Sequence, residues 1–154
     1  MVKILFVCLG NICRSPMAES VCAHLIAQRG LAEKVSVASA AARTDGVGKP
    51  PYHRTREKLE QEGVPLVPHI ARLMTKEDSE KYDYLIGMDE GNLVDMRRII
   101  GEKNKHKIHR LLDFTSSPRE LADPWYTHDF NRTYDEVVEG CTALLDKLCS
   151  DGLT

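Results

Sequence analysis

Apolar positions along the chain follow two alternating rhythms. Val2 to Cys8 (VKILFVC) is a short run of apolar and β-branched residues broken by one charge, the pattern of a strand buried in a parallel sheet. From Pro16 to Arg29 the rhythm changes, and Met17, Val21, Leu25 and Ile26 recur about one helical turn apart, which predicts a helix. The alternation then repeats. Val35 to Ser39 reads as a strand, His53 to Glu62 as a helix ended by Gly63, and Tyr82 to Met88 as a third strand. Asp89 to Ile100 is a further helix, Lys107 to Leu112 a fourth strand, and Phe130 to Cys149 a long closing helix.

Strands that alternate with helices predict an α/β fold of parallel strands joined by right-handed crossovers, with helices on both faces and ligands beyond the carboxyl ends of the strands. No repeat, low-complexity tract or linker divides the sequence, so residues 1–154 are expected to form one domain. A chain of that length buries roughly 70% of the surface that it exposes when unfolded. The hydrophobic fraction of 42% and charged fraction of 29% are those of an ordinary globular protein.

The net charge of -2 gives no broad positive field for nucleic acid, and the basic run from Lys103 to Lys107 reads as a solvated helix end or loop. Ile4 to Leu9 is too short for a signal-peptide core and runs into Gly10-Asn11 rather than a small-residue cleavage site, so a cytoplasmic protein without membrane contact is expected. Five cysteines, an odd number, suggest reduced thiols rather than a disulfide framework.

The residues after the first strand carry the chemistry. They read Cys8-Leu9-Gly10-Asn11-Ile12-Cys13-Arg14-Ser15-Pro16, and Pro16 suits the opening of a helix. A loop curled over a helix N-terminus turns its backbone N–H groups inward and forms a nest for an anion. Gly10 and Asn11 tolerate the left-handed dihedrals that such a curl requires. Cys8 would lie at the floor of the cup, where the same dipoles favour a nucleophilic thiolate. Arg14 would present a planar pair of donors to two phosphoryl oxygens, which lysine cannot match.

CLGNICRSP after a short first strand resembles the low-molecular-weight protein tyrosine phosphatases. The resemblance extends to Asp123-Pro124-Trp125-Tyr126, at the place of that family's general-acid loop, and to Ala38-Ser39-Ala40-Ala41, His69-Ile70-Ala71-Arg72, Thr75-Lys76-Glu77-Asp78 and Met88-Asp89-Glu90. It implies a three-layer sandwich around a four-stranded parallel sheet of order 2-1-3-4, and a hydrolysis that needs no metal or other cofactor.

In that chemistry Cys8 attacks phosphorus, Arg14 clamps the phosphoryl oxygens and Asp123 protonates the departing phenolate, then deprotonates the water that cleaves the cysteinyl-phosphate. Residues Leu9 to Ser15 would form the phosphate-binding loop. Ser15 would hydrogen-bond the Cys8 sulfur, while Asn11, Ser39 and His69 brace the loop and Asp89 orients Arg14. Leu9, Ile12, Asp45, Trp125 and Tyr126 would wall a cleft deep enough for a phenyl phosphate and poorly filled by phosphoserine. Asp45 stands where relatives often carry an aromatic residue, and Trp125 replaces a common tyrosine, which leaves sequence preference open. Cys13 corresponds to the family's second loop cysteine, which forms a reversible disulfide with the nucleophile. Phosphotyrosine proteins are the implied partners, phosphate and vanadate the implied inhibitory anions, and the implied state is a monomer with at most weak self-association.

Other readings of these residues exist. Cys22, Cys141 and Cys149 lie in helical patterns and read as packing or partly exposed thiols. A zinc site from Cys8, Cys13, Cys22 and His24 matches no structural spacing and places Arg14 beside the cation. Gly46-Val47-Gly48-Lys49 lacks the first glycine and the serine or threonine of a nucleotide loop and reads as a turn. Arsenate reductases share the fold and loop but relay a disulfide through further cysteines past the midpoint, and this chain has none between Cys22 and Cys141. Protein-arginine phosphatases use the same scaffold, with threonine where this chain has Ile12.

Overall fold

The computed structural model describes residues 1–153, and its centre is the first strand. β1 (Val2–Cys8) pairs in parallel with β2 (Val35–Ala41) on one side and with β3 (Tyr84–Gly87) on the other; β4 (Ile108–Arg110) adds to β3, also in parallel. The order is β2-β1-β3-β4. Register runs from Val2 opposite Val35 to Cys8 opposite Ala41, so the end of β1 is flanked by the end of β2.

Six helices surround the sheet: α1 (Arg14–Gln28), α2 (His53–Gln61), α3 (Asp78–Lys81), α4 (Glu90–Ile100), α5 (Pro124–Thr127) and α6 (Phe130–Leu148). Successive residues of a strand point to opposite faces. Ile4, Phe6 and Cys8 therefore join one core with Met17 and Val21 of α1, Leu59 of α2 and Val137, Cys141 and Leu144 of α6. Leu5 and Val7 join the opposite core with Leu93, Met96 and Ile100 of α4 and with Met74 and Tyr82. Ile4 to Val7 are wholly buried, which is why β1 is nearly all apolar. Cys22 and Cys141 are fully buried in the first core, as packing thiols.

The predicted elements are present with shifted ends. β2 runs two residues further than expected, to Ala41, because its amide bonds the Arg72 carbonyl and its carbonyl accepts from Met74. β4 is three residues long rather than six, since Leu111–Phe114 turn as a 3-10 helix that drops Leu111 and Leu112 into the core. α1 opens at Arg14, two residues before Pro16, so the proline sits inside the first turn, where its missing N–H costs no helical bond. The Lys103 to Lys107 run is a turn and a short 3-10 helix; Lys103 pairs with Glu80, and Lys107 Nζ donates to the Ser79 carbonyl at 2.7 Å. Among the described residues no helix is long and apolar enough to cross a membrane.

Candidate active site

Cys8 ends β1, Arg14 begins α1, and the five residues between them wrap around the sulfur. Cys8 is 3% exposed. Its Sγ lies 3.0 Å from Ser15 Oγ and accepts the Ser15 N–H at 3.4 Å. Because Ser15 Oγ already accepts from Asn11 Nδ2 at 2.8 Å, its own hydrogen is free to point at the sulfur. The Ser15 amide and hydroxyl thus converge on one sulfur at the N-terminus of α1.

The curl itself is made by Asn11, whose φ of 58 is left-handed. This buried side chain uses its full hydrogen-bonding capacity. Nδ2 donates to Ser15 Oγ and, at 3.0 Å, to Ser39 Oγ; Oδ1 accepts from His69 Nε2 at 2.6 Å and from the Arg72 amide at 3.2 Å. Gly10, which would tolerate a left-handed turn, does not take one: its φ is not positive, and a Cβ on it would make only ordinary contacts. The glycine that the loop requires is Gly46, where a Cβ would collide with the Gly10 carbonyl oxygen.

Behind Asn11 the network continues into α1. Ser39 Oγ donates to Glu19 Oε1 at 2.6 Å, and His69 Nδ1 lies 3.7 Å from the same oxygen. Burial raises the Glu19 pKa, opposed by the Ser39 hydrogen bond and Arg72. Burial first, then Arg72, lower that of His69, whose Nε2–H donates to Asn11 Oδ1. No motif in the sequence singles out Glu19, although a carboxylate on the inward stripe of a helix is a usable signal.

Arg14, 2% exposed, lies under the loop. Nη1 donates to Asp89 Oδ2 at 2.8 Å and to the Leu121 carbonyl at 2.7 Å, and Nη2 reaches Asp123 Oδ2 at 3.4 Å. With Nη1 saturated, Nε–H and the second Nη2 hydrogen remain for a ligand. Burial opposes its charge, but Cys8, Asp123 and Asp89 outweigh it, and its pKa stands above the ordinary value. Asp89 serves twice: Oδ1 caps α4 by accepting the Asn92 amide at 2.8 Å, while Oδ2 holds the guanidinium.

Asp123 caps α5, with Oδ1 accepting the Trp125 amide at 3.0 Å and Pro124 in the first helical position. Its carboxylate, Arg14 and Cys8 border one cleft of about 250 Å³. Leu9, Ile12, Asp45, Trp125 and Tyr126 line it, and so does Cys13. Lys49 also lines the mouth; the Gly46 to Lys49 segment is a turn, as expected, and presents this cation to the cleft.

Burial first, then Cys8 and Asp123, push the Cys13 thiol up to about 12, against the pull of Thr55 and Arg14. Although the Thr55 hydroxyl is near enough to act on that thiol, it makes no well-formed hydrogen bond and is the one buried side-chain polar atom without a partner among the described residues. All five cysteines are free. Among the described residues no group of three or more His, Cys, Asp or Glu is arranged to hold a metal ion.

A family model described as low molecular weight phosphotyrosine protein phosphatase matches residues 3–152. The low molecular weight protein-tyrosine-phosphatase YfkJ of Bacillus subtilis is 40% identical over 147 residues, 94% of either chain. A crystal structure of YfkJ superposes with a TM-score of 0.94, covering 99% of this chain and 97% of that one. The low molecular weight phosphotyrosine protein phosphatase of Homo sapiens is 38% identical over 150 residues, 94% of either chain. A Drosophila arginine phosphatase superposes with a TM-score of 0.89 at 32% identity, over 97% of this chain and 99% of its own. By sequence, over nearly its whole length, and by fold, the chain belongs to the low molecular weight phosphotyrosine protein phosphatase family.

Proposed function

We propose that this protein hydrolyses phosphotyrosine and small aryl phosphates through a cysteinyl-phosphate. The observation that carries the reading is the convergence of the Ser15 amide and hydroxyl on Cys8 Sγ, in a cleft that Arg14 and Asp123 also border. The phosphoryl group enters the nest of residues 9–15, where loop amides and the free Arg14 donors bind its oxygens. Cys8 Sγ attacks phosphorus as the bond to the phenolic oxygen breaks, and Asp123 gives that oxygen its proton. Water then attacks the S–P bond, Asp123 takes up a proton, and inorganic phosphate leaves with the thiolate restored. The amides and Arg14 stabilise the charge on the equatorial oxygens in both steps.

Leu9, Ile12 and Trp125 give the cleft apolar walls that a phenyl ring fills and a serine phosphate does not. A phosphoarginine substrate would lay a polar guanidino group against Ile12, which favours the aryl ester. We assign the remaining roles on the same footing: Asn11, Ser39 and His69 brace the loop, Asp89 orients Arg14, and Asp45, Trp125 and Tyr126 shape the mouth. Phosphate and vanadate would compete for the nest, and Cys13 would capture an oxidised Cys8 as a disulfide. The protein would act in the cytoplasm on phosphotyrosine proteins, as one domain and mainly as a monomer.

With p-nitrophenyl phosphate, a burst of phenolate near one equivalent is expected before steady turnover, and Cys8→Ser should abolish both. Turnover by Cys8→Ser at the wild-type rate, or faster hydrolysis of phosphoarginine than of phosphotyrosine, would overturn the reading.

A further inference from the structure

The nucleophile loop and the acid loop come from opposite ends of the chain, and the N-terminus of α2 stands between them. The Tyr52 amide donates to the Ile12 carbonyl at 2.8 Å, which ties this segment to the phosphate-binding loop. The Tyr52 ring meets Trp125 edge-on at 5.0 Å between centroids and stacks on Phe130 at 6.1 Å. Two residues later, Arg54 Nη2 donates to the His128 carbonyl at 3.1 Å, and its guanidinium lies 4.5 Å above the Phe130 ring.

His128 is the residue that closes α5, and its φ of 60 is a left-handed conformation that a side chain adopts only when something holds it. Helix α5 has four residues and is too short to hold its own shape. Among the described residues, segment 123–128 makes two side-chain hydrogen bonds to distant elements: Arg14 to Asp123 at its front and Arg54 to His128 at its back. The front bond changes whenever Asp123 moves a proton. The back bond does not involve the carboxyl group.

We propose that Arg54 is a positioning residue for proton transfer: it clamps the closing turn of α5, with Tyr52 as the strut, so that Asp123 stays at a fixed distance from the Cys8 loop. The proposal rests on the assignment of Asp123 as general acid. A displaced acid harms esters that need a proton on the leaving oxygen and spares those whose leaving group departs as an anion.

The test is a double-mutant cycle of Arg54→Met and Asp123→Ala, with kcat/KM measured for phenyl phosphate and for 2,4-dinitrophenyl phosphate. Methionine keeps an apolar stem over Phe130 and removes the donor. Arg54→Met is expected to lower kcat/KM about tenfold for phenyl phosphate and less than about twofold for the dinitrophenyl ester, since a misplacement of ~1 Å costs up to ~10²-fold. In the Asp123→Ala background it should have no further effect. Equal losses on both esters, no loss on either, or a loss that persists without Asp123 would overturn the proposal. Wild-type turnover of phenyl phosphate by Asp123→Ala alone would remove the acid assignment and this proposal with it, an outcome which that single variant distinguishes from a failure of Arg54. Alkylation of Cys8 by iodoacetate at the wild-type rate in Arg54→Met would show that the fold and the nest are intact.

Discussion

The two loops that face the cleft are built in opposite ways. The Cys8 loop is buried: Asn11 is wholly shielded, all four of its hydrogen-bonding positions are used, and its partners come from α1, β2 and the segment before α3. The Asp123 loop is exposed, one helical turn long, and held by a single long-range side-chain hydrogen bond at either end and the Tyr52 ring against Trp125, with Trp125 50% and Tyr126 74% open to solvent. An anion-binding nest, the role proposed for the first loop, needs several dipoles fixed at once, which burial supplies. A proton donor, the role proposed for Asp123, must reach substrate and then water in turn, and a lightly held surface turn serves that. Changes at the first loop should therefore cost stability and activity together, and changes at the second activity alone.

Arg14→Lys tests the buried side most severely. Loss of the planar donors should lower kcat/KM by roughly 10³-fold, and the stranded Asp89 and Leu121 acceptors should cost about 1–3 kcal/mol of stability, read by urea denaturation. Asp123→Ala tests the exposed side. It should lower kcat/KM for phenyl phosphate by roughly 10²-fold or more while unfolding within about 0.5–1 kcal/mol of wild type. A large stability loss there would erase the contrast between the loops.

Asn11→Ala should fall on the buried side again, at about 2–4 kcal/mol of stability, since it strands Ser15, Ser39 and His69 and forces alanine into a left-handed turn. The smallest effect separates two thiols within one loop. With its pKa pushed up to about 12, Cys13 stays protonated at neutral pH and gains reactivity only as pH climbs toward that value. Mass spectrometry after brief iodoacetate treatment at pH 7 should find label on Cys8 and none on Cys13.

The same contrast explains what could be read before folding. β1, α1 and the residues from Cys8 to Ser15 are contiguous, strongly patterned and governed by local rules, and the sheet order follows from the family likeness that they carry. Helices α3 and α5, four residues each, span barely one helical turn, too little for an apolar spacing to recur. Glycine at position 10 permits a left-handed turn without requiring it, and the steric need for a glycine lies at Gly46, which approaches only after folding. Lys49 and Arg54 reach the site through tertiary contacts with partners distant in sequence, so no local spacing marks them.

The central claim is that Cys8 becomes covalently phosphorylated in every turnover. Rapid acid quenching of a reaction with a ³²P-labelled aryl phosphate, followed by peptide mapping, tests it directly. The account predicts label on the Cys8 peptide, approaching one phosphate per chain during the burst and absent in Cys8→Ser. Steady release of phosphate with no labelled peptide, or with label on any other residue, would contradict it.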